Sequence, residues 1–395
     1  MYLLSKKAAQ VAGSLTLAID AKAKAMKSQG VDVVSYGAGE PDFDTPLPIC
    51  QAAIRAIEQG QTRYTPARGT LELRRAICEK LARRNNLTYT PDEIVVTNGA
   101  KQALHDAFSA ILEEDDEVIL MTPCWVSYPE LIRMAGGIPV LVERNKEDGF
   151  ALDLQALESA VTEKTKAIVI NSPDNPCGGV LSNEEVKALA DLIIKHDLIA
   201  ISDEIYEEFI YEGEAPISLA AARPEMKERT VLVNGVSKTY AMTGWRVGFL
   251  LMSDPNYIKE MAKLNEGLVS CVSSFSQVAA AEALSSNECV KSMVADYTRR
   301  RDILVDGINA VPGFRCAKPK GSFYAFVNIK AFGKSSQEFA EELIRGAHVI
   351  CVPGTAFGAM GEGYLRLVFA NSDENLEEAV RRIDEYVRKA YPDMK

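Results

Sequence analysis

Lys238 lies in the run Val-Ser-Lys-Thr-Tyr-Ala-Met-Thr-Gly-Trp-Arg-Val-Gly-Phe, residues 236–249, directly after the strand-like Thr230-Val231-Leu232-Val233-Asn234. Ser237 precedes it and Arg246 follows at a short interval. An amine held beside a hydroxyl and a guanidinium that can take a phosphate is the set a protein needs to carry pyridoxal phosphate as a Schiff base. The same residue also reads as an ordinary surface lysine in a loop, and the segment alone does not separate the two. Asp203 closes an apolar strand-like stretch, and the C-terminal ends of strands are where open α/β sheets bind ligands. It equally reads as the cap of a following helix. Tyr206, three residues on, shares the face of Asp203 if one helical turn follows.

Other polar residues sit at similar junctions. Asn98-Gly99-Ala100-Lys101 joins a strand to a helix. Free N–H groups at a helix start bind phosphate, and Gly99 lets the backbone approach closely, although a glycine at such a junction is common. Asn175-Pro176 reads as turn chemistry. Trp125, one of two tryptophans, reads as a half-buried core aromatic as readily as a binding-site ring. Arg366, flanked by apolar residues on a strand pattern, reads by itself as a residue of a solvated face.

The elements that must position these groups alternate. Strand-like runs at 94–97, 117–121, 138–142, 166–171, 198–202, 230–234 and 247–252 interleave with helical patterns at 46–59, 70–84, 101–112, 183–195 and 275–286. The alternation predicts an α/β fold: a mostly parallel seven-stranded sheet covered on both faces by helices. After about residue 290 the pattern changes to a long charged helix, strands near 323–327 and 363–369, and a helix at 336–346. This predicts a large domain over 46–289 and a smaller α+β domain from 1–45 and 290–395, with a helix around 16–29.

Composition narrows the class. The 395 residues are 47% hydrophobic and 25% charged with a net charge of −11, an ordinary globular balance. An acidic chain without a basic run argues against nucleic acid and anionic membranes as partners. The eight cysteines are scattered without a C-x-x-C pair, and Ser5-Lys6-Lys7 leads into a mixed stretch rather than an apolar signal; a cytoplasmic protein with reduced thiols fits. Three dispersed histidines make a His-rich metal site a poor expectation, and no metal is expected. The glycines of 354–361 do not form a G-x-G-x-x-G turn, and neither a Walker A loop nor H-E-x-x-H occurs.

Eight segments in order carry a family likeness: Gly-Ala-Gly-Glu-Pro-Asp-Phe at 37–43, Tyr-Thr-Pro-Ala-Arg-Gly at 64–69, Asn-Gly-Ala-Lys-Gln at 98–102, Cys-Trp-Val-Ser-Tyr-Pro at 124–129, Asn-Ser-Pro-Asp-Asn-Pro-Cys-Gly at 171–178, Ser-Asp-Glu-Ile-Tyr at 202–206, the Lys238 segment, and Tyr-Leu-Arg-Leu-Val-Phe-Ala at 364–370. Together they resemble the class I aminotransferases of pyridoxal phosphate fold type I, most closely the bacterial aspartate aminotransferase subgroup Ib. The resemblance implies a homodimer with shared active sites. Lys238 would be the Schiff-base lysine and proton shuttle, and Asp203 the partner of the pyridine nitrogen. Asn175 and Tyr206 would bond the ring hydroxyl oxygen, and Trp125 would stack on the ring. Gly99, Ala100, Lys101, Ser237 and Arg246 would hold the phosphate, joined by Tyr64 from the neighbouring subunit. Arg366 would clamp the substrate α-carboxylate, with Gly39, Trp125 and Asn175 beside it.

The reaction implied is ping-pong transfer of the amino group of L-aspartate to 2-oxoglutarate. Other donors (alanine, aromatic, kynurenine) or a β-lyase on the same fold are the alternatives. Lys101 and Thr16 are candidates for a distal carboxylate. Cys177 stands where most relatives carry Thr, and Ala12 where prephenate-using members carry a basic residue, which argues against prephenate as a substrate.

Overall fold

A computed structural model describes residues 11, 13, 15–145, 149–213 and 215–394; Ala12 and residues 1–10 lie outside them. Twelve strands are found among the described residues. They are β1 (Val34–Ser35), β2 (Ile94–Thr97), β3 (Glu117–Thr122), β4 (Ile138–Glu143), β5 (Thr165–Asn171), β6 (Ile199–Asp203), β7 (Thr230–Gly235), β8 (Gly248–Leu251), β9 (Tyr324–Asn328), β10 (Val349–Ile350), β11 (Val352–Pro353) and β12 (Tyr364–Val368). Seven form one sheet in the order β2-β8-β7-β6-β5-β3-β4. β8 runs antiparallel to both its neighbours, β2 and β7, and the other pairs are parallel. The expected seven-stranded, mostly parallel sheet is what forms.

Side-chain alternation explains why this sheet needs cover on both faces. In β5, Ala167 and Val169 point into a core shared with helices Ala100–Ile111, Ser127–Met134 and Pro255–Val269. Ile168 and Ile170 point into the opposite core, under helix Asn183–Lys195. β3 and β6 divide their apolar residues the same way. Every second residue faces one side, so a strand apolar at every position must be buried twice. Helices Leu71–Arg84 and Ser274–Ser285 close a third core over β2, β7 and β8.

A three-stranded antiparallel sheet, β11-β12-β9, and a two-residue parallel pairing of β1 with β10 make up the rest. Their core gathers Phe323, Phe339, Leu367 and Ile383 with Leu304 and Ile308 from helix Glu288–Ala310. Ile205, Tyr206 and Phe209, from the segment just after β6, enter the same core. That segment consists of turns, so the helical turn expected to align Tyr206 with Asp203 is absent. Its path is set by Asp203 Oδ1, which accepts the Ile205 N–H at 3.2 Å, and by packing of Tyr206 on Phe323.

Start signals account for helix boundaries. Ser182 with Glu185, and Ser335 with Glu338, form reciprocal capping boxes at helices Asn183–Lys195 and Ser336–Gly346. Among the described residues no helix is long and apolar enough to cross a membrane. Leu304 is fully buried in the shared core, so Leu304→Ala is expected to lower unfolding free energy by about 2–5 kcal/mol, read from a denaturant midpoint.

Candidate active site

The polar groups converge because the sheet brings its carboxyl edge to one place. Asp203 ends β6 and Asn171 ends β5, paired in register, and Asn171 Nδ2 donates to the Asp203 carbonyl at 2.9 Å. Lys238 follows β7, Asn98 follows β2, and Trp125 follows β3. A cavity of about 440 Å³ opens there, lined by twelve of the fourteen sequence candidates, including Gly39, Trp125, Asn175, Asp203, Lys238 and Arg366. Ala100, Lys101, Tyr206, Ser237 and Arg246 line it as well. The other two are Gly99, beneath Arg246, and Tyr64, which is 89% exposed and away from the cavity of its own chain.

At one end is an anion cradle. Helix Ala100–Ile111 starts at Gly99, whose φ of +83° is left-handed, and its first N–H groups have no partner within the helix. A Cβ at Gly99 would lie 2.2 Å from the Arg246 guanidinium, and one at Gly248 would lie 2.4 Å from the Ala100 nitrogen. Both positions therefore require glycine for this close approach. Arg246 itself is left-handed at φ 56°, a strained setting for a non-glycine residue. It donates to the Thr243 carbonyl at 2.8 Å and the Asn98 carbonyl at 3.3 Å. Lys101 extends over Trp125, 5.0 Å from its ring; burial, then Arg246, lowers its pKa.

At the centre, Asp203 is buried and accepts from the Tyr128 hydroxyl at 2.7 Å. Burial pushes its pKa up to about 6, against the opposing pull of Tyr128 and the Ile205 N–H. Lys238 Nζ donates to the Gly39 carbonyl at 2.5 Å. Burial, reinforced by Arg366 and Arg246 and opposed by Glu40, lowers its pKa to about 8. An amine poised there can exchange protons near neutral pH.

Arg366 approaches from β12. It is 2% exposed, so the solvated-face reading fails. Nη1 donates to Asn175 Oδ1 at 3.2 Å, Nη2 to the Gly37 carbonyl at 2.9 Å, and buried Nε has no partner. The rings of Tyr324 and Phe357 lie 4.7 and 4.8 Å from the guanidinium carbon. No carboxylate of the described residues pairs with it. Tyr206 donates to or accepts from the Tyr324 hydroxyl at 2.8 Å. Thr16 and Lys101 both line the cavity.

Three contributors escaped the sequence reading as site residues. Tyr128, Asn171 and Tyr324 all lie in segments singled out there, but only the fold shows Tyr128 reaching Asp203. Cys177 sits behind the site, its N–H donating to Asp174 Oδ1 at 2.9 Å, and burial holds its thiol neutral.

Asp203 carries a stability cost. Its folded pKa lies above the ordinary carboxylate value, so the folded state holds the proton through the interval from 3.8 to about 6 and loses relative stability as pH rises through it. In the cofactor-free protein, Asp203→Asn is therefore expected to raise Tm above about pH 6, with the gain vanishing below about pH 4. Thermal melts across that range check it.

Comparison with known proteins agrees with this architecture. The family model described as aminotransferase class I and II matches residues 31–383. The probable aspartate/prephenate aminotransferase of Aquifex aeolicus is 46% identical, over 96% of this chain and 97% of that protein. The aspartate aminotransferase of Bacillus subtilis is 43% identical, over 98% and 99%. The solved aspartate aminotransferase of Thermus thermophilus with maleate superposes with a TM-score of 0.93 at 42% identity, covering 98% of this chain and all of that one. With a seven-stranded sheet of this order and a lysine, a carboxylate and an arginine converging at its edge, the chain belongs to the class I and II aminotransferases.

Proposed function

We propose that the protein transfers the amino group of L-aspartate to 2-oxoglutarate with pyridoxal phosphate. The observation that carries this reading is the convergence in one cavity of Lys238, Asp203 and Arg366, whose guanidinium is bonded only to neutral acceptors. The residues fit the cofactor: the Gly99 cradle with Arg246 and Ser237 suits its phosphate, buried Asp203 a protonated ring nitrogen, and Lys238 its aldehyde. Bound there, the cofactor supplies an electron sink for charge developing at the substrate α-carbon.

The chain's own groups do the rest. Arg366 presents two Nη groups to the α-carboxylate, a planar fork that fixes orientation as well as charge. Asn175, already bonded to Arg366, would connect carboxylate recognition to the cofactor ring, to which Tyr206 would add a hydroxyl. Asp203 would hold negative charge against the ring nitrogen. Lys238 Nζ, neutral above about pH 8, takes the α-proton and later returns it. Trp125 covers one face of the cavity. Lys101 and Thr16 are candidates for the distal carboxylate of aspartate, in keeping with relatives named for aspartate and a related structure solved with maleate.

Two further assignments belong to this reading. The large domain spans 46–289 and the small one 1–45 with 290–395, which puts the cavity at their junction. A symmetric dimer brings Tyr64, exposed on its own subunit, to the phosphate of the other.

Mixing the cofactor-loaded protein with L-aspartate alone tests the reading. The expected result is full conversion of the aldehyde form to pyridoxamine phosphate with release of oxaloacetate. Conversion only with alanine or an aromatic amino acid would replace the donor, and release of pyruvate, ammonia and the β-substituent from a β-substituted amino acid such as cysteine would mean elimination. Lys238→Ala should fold and lose the half-reaction, by about 10²–10⁴-fold for the proton transfer alone. Arg366→Ala should cost about 2–4 kcal/mol in kcat/KM, seen mainly as a raised KM for α-carboxylates.

A further inference from the structure

Arg144 follows β4 at the same sheet edge, and its N–H donates to the Thr122 carbonyl at 3.2 Å. Its side chain is 12% exposed and that of Asp174 is 5% exposed. Nη1 donates to Asp174 Oδ2, and Nη2 donates to the Pro123 carbonyl at 2.6 Å. Pro123 lies two residues before Trp125, and Asp174 directly precedes Asn175. One guanidinium therefore joins the loop that carries Trp125 to the loop that carries Asn175.

Asp174 in turn organises its own loop. Oδ1 accepts from the Cys177 N–H at 2.9 Å and the Gly179 N–H at 3.3 Å, while the Asp174 N–H donates to the Gly179 carbonyl at 3.0 Å. The Ser322 hydroxyl donates to the Asp174 carbonyl at 2.9 Å. Burial would lower the pKa of the Arg144 guanidinium, but Asp174 more than offsets it and the net shift is upward. Cys124 and Cys177, the nearby thiols, are kept protonated by burial, which leaves Asp174 as the anion facing Arg144.

Packing alone does not set the gap between these loops. A separate cavity of about 20 Å³ lies there, bordered by Cys124, Tyr128, Arg144, Asp174 and Asn175 among others. A void transmits no contact force, whereas a charge-assisted guanidinium–carboxylate bond fixes both distance and angle.

We infer that Arg144, paired with Asp174, is a positioning residue that sets the spacing between Trp125 and Asn175 and thereby the width of the slot they border. The inference rests on the transamination reading for its consequence and on the Arg144 geometry for its cause. Asn175 Oδ1 also receives Arg366 Nη1, so displacement of the Asn175 loop reaches the carboxylate-binding arginine.

The test uses the full-length chain with Arg144→Met, Arg144→Lys and Asp174→Asn, each in a Trp245→Phe background so that fluorescence reports Trp125 alone. Acrylamide quenching is read on the cofactor-free protein. KM and kcat are read on the loaded protein with whichever amino acid the parent converts. Arg144→Met is expected to keep its circular dichroism spectrum, raise the quenching constant about twofold and lower kcat/KM at least about tenfold, with both KM and kcat changed. Arg144→Lys should recover part of this, because one ammonium reaches Asp174 without also holding the Pro123 carbonyl in the same fork.

A lower Tm with parental quenching, KM and kcat would overturn the inference and leave the pair merely structural. If Arg144→Met does not fold, Asp174→Asn decides by the same readouts, parental values again overturning it. A parent inert toward every amino acid would sink the transamination reading, while the quenching result would still judge the spacing role.

Discussion

The structure depends on holding three ionisable groups out of water without letting them neutralise one another. Asp203, Lys238 and Arg366 all line the cavity, and burial disfavours the charged form of each. A buried charge left without a counter-ion is costly, and a protein that minimised that cost would pair these groups internally. Here the acceptors facing the two cations are neutral. Gly39 offers its carbonyl to Lys238, Gly37 offers its carbonyl to Arg366, and Asn175 adds an amide oxygen. Such bonds orient the cations and leave their charge available to a ligand.

That arrangement needs a rigid surround, and the three cores of the seven-stranded sheet supply it. Asp203 and Asn171 are fixed by adjacent strand ends, Lys238 by a loop bonded to itself through Met242 to Ser237 and Ala241 to Lys238. Arg366 comes from a different sheet. Its register is secured by β9 and β11 on either side, and its approach to the large sheet is bridged by Tyr206, which leaves β6 and meets Tyr324. Residues 36–40 run between the two sheets and touch both cations, so a short segment far from either in sequence completes the site.

Much of this was legible in the chain. Strongly apolar strands with a period of one residue buried on each face, such as 166–171, were located within a residue because their composition admits no other placement. Helices with clear caps, such as 183–195, were located to the residue. Shorter or more mixed elements escaped: the six-residue helix Leu154–Ser159, and the two-residue strands β1, β10 and β11, carry too little periodicity to register. The helices Pro255–Val269 and Asp373–Ala390 are long yet are not among the helices the sequence pattern predicts; the second has a charged face and a narrow apolar stripe that reads as surface. Spacing alone cannot distinguish three residues of helix from three residues of turn, so it leaves open whether Tyr206 shares the face of Asp203. Tyr128 and Tyr324 lay within recognised segments, but their contacts join residues 75 and 118 positions apart, and separations of that kind are set only by the completed fold.

The same logic separates two acidic neighbours at the end of β6. Glu204 follows Asp203 and is as deeply buried, yet its Oε1 accepts hydroxyls from both Ser202 and Ser218, and burial followed by Glu207 lifts its pKa to about 7. It turns away from the main cavity into a second one of about 250 Å³ bordered by Arg84 and Glu207. Asp203 likewise accepts two bonds, one hydroxyl and one N–H, and burial lifts its pKa to about 6 against the opposing Lys238 charge across the cavity. Two carboxylates of equal burial thus differ in what faces them. Asp203 has the Lys238 charge in view and lines the main cavity, whereas Glu204 faces the like charge of Glu207, so it is the facing charge and not the number of hydrogen bonds that separates them.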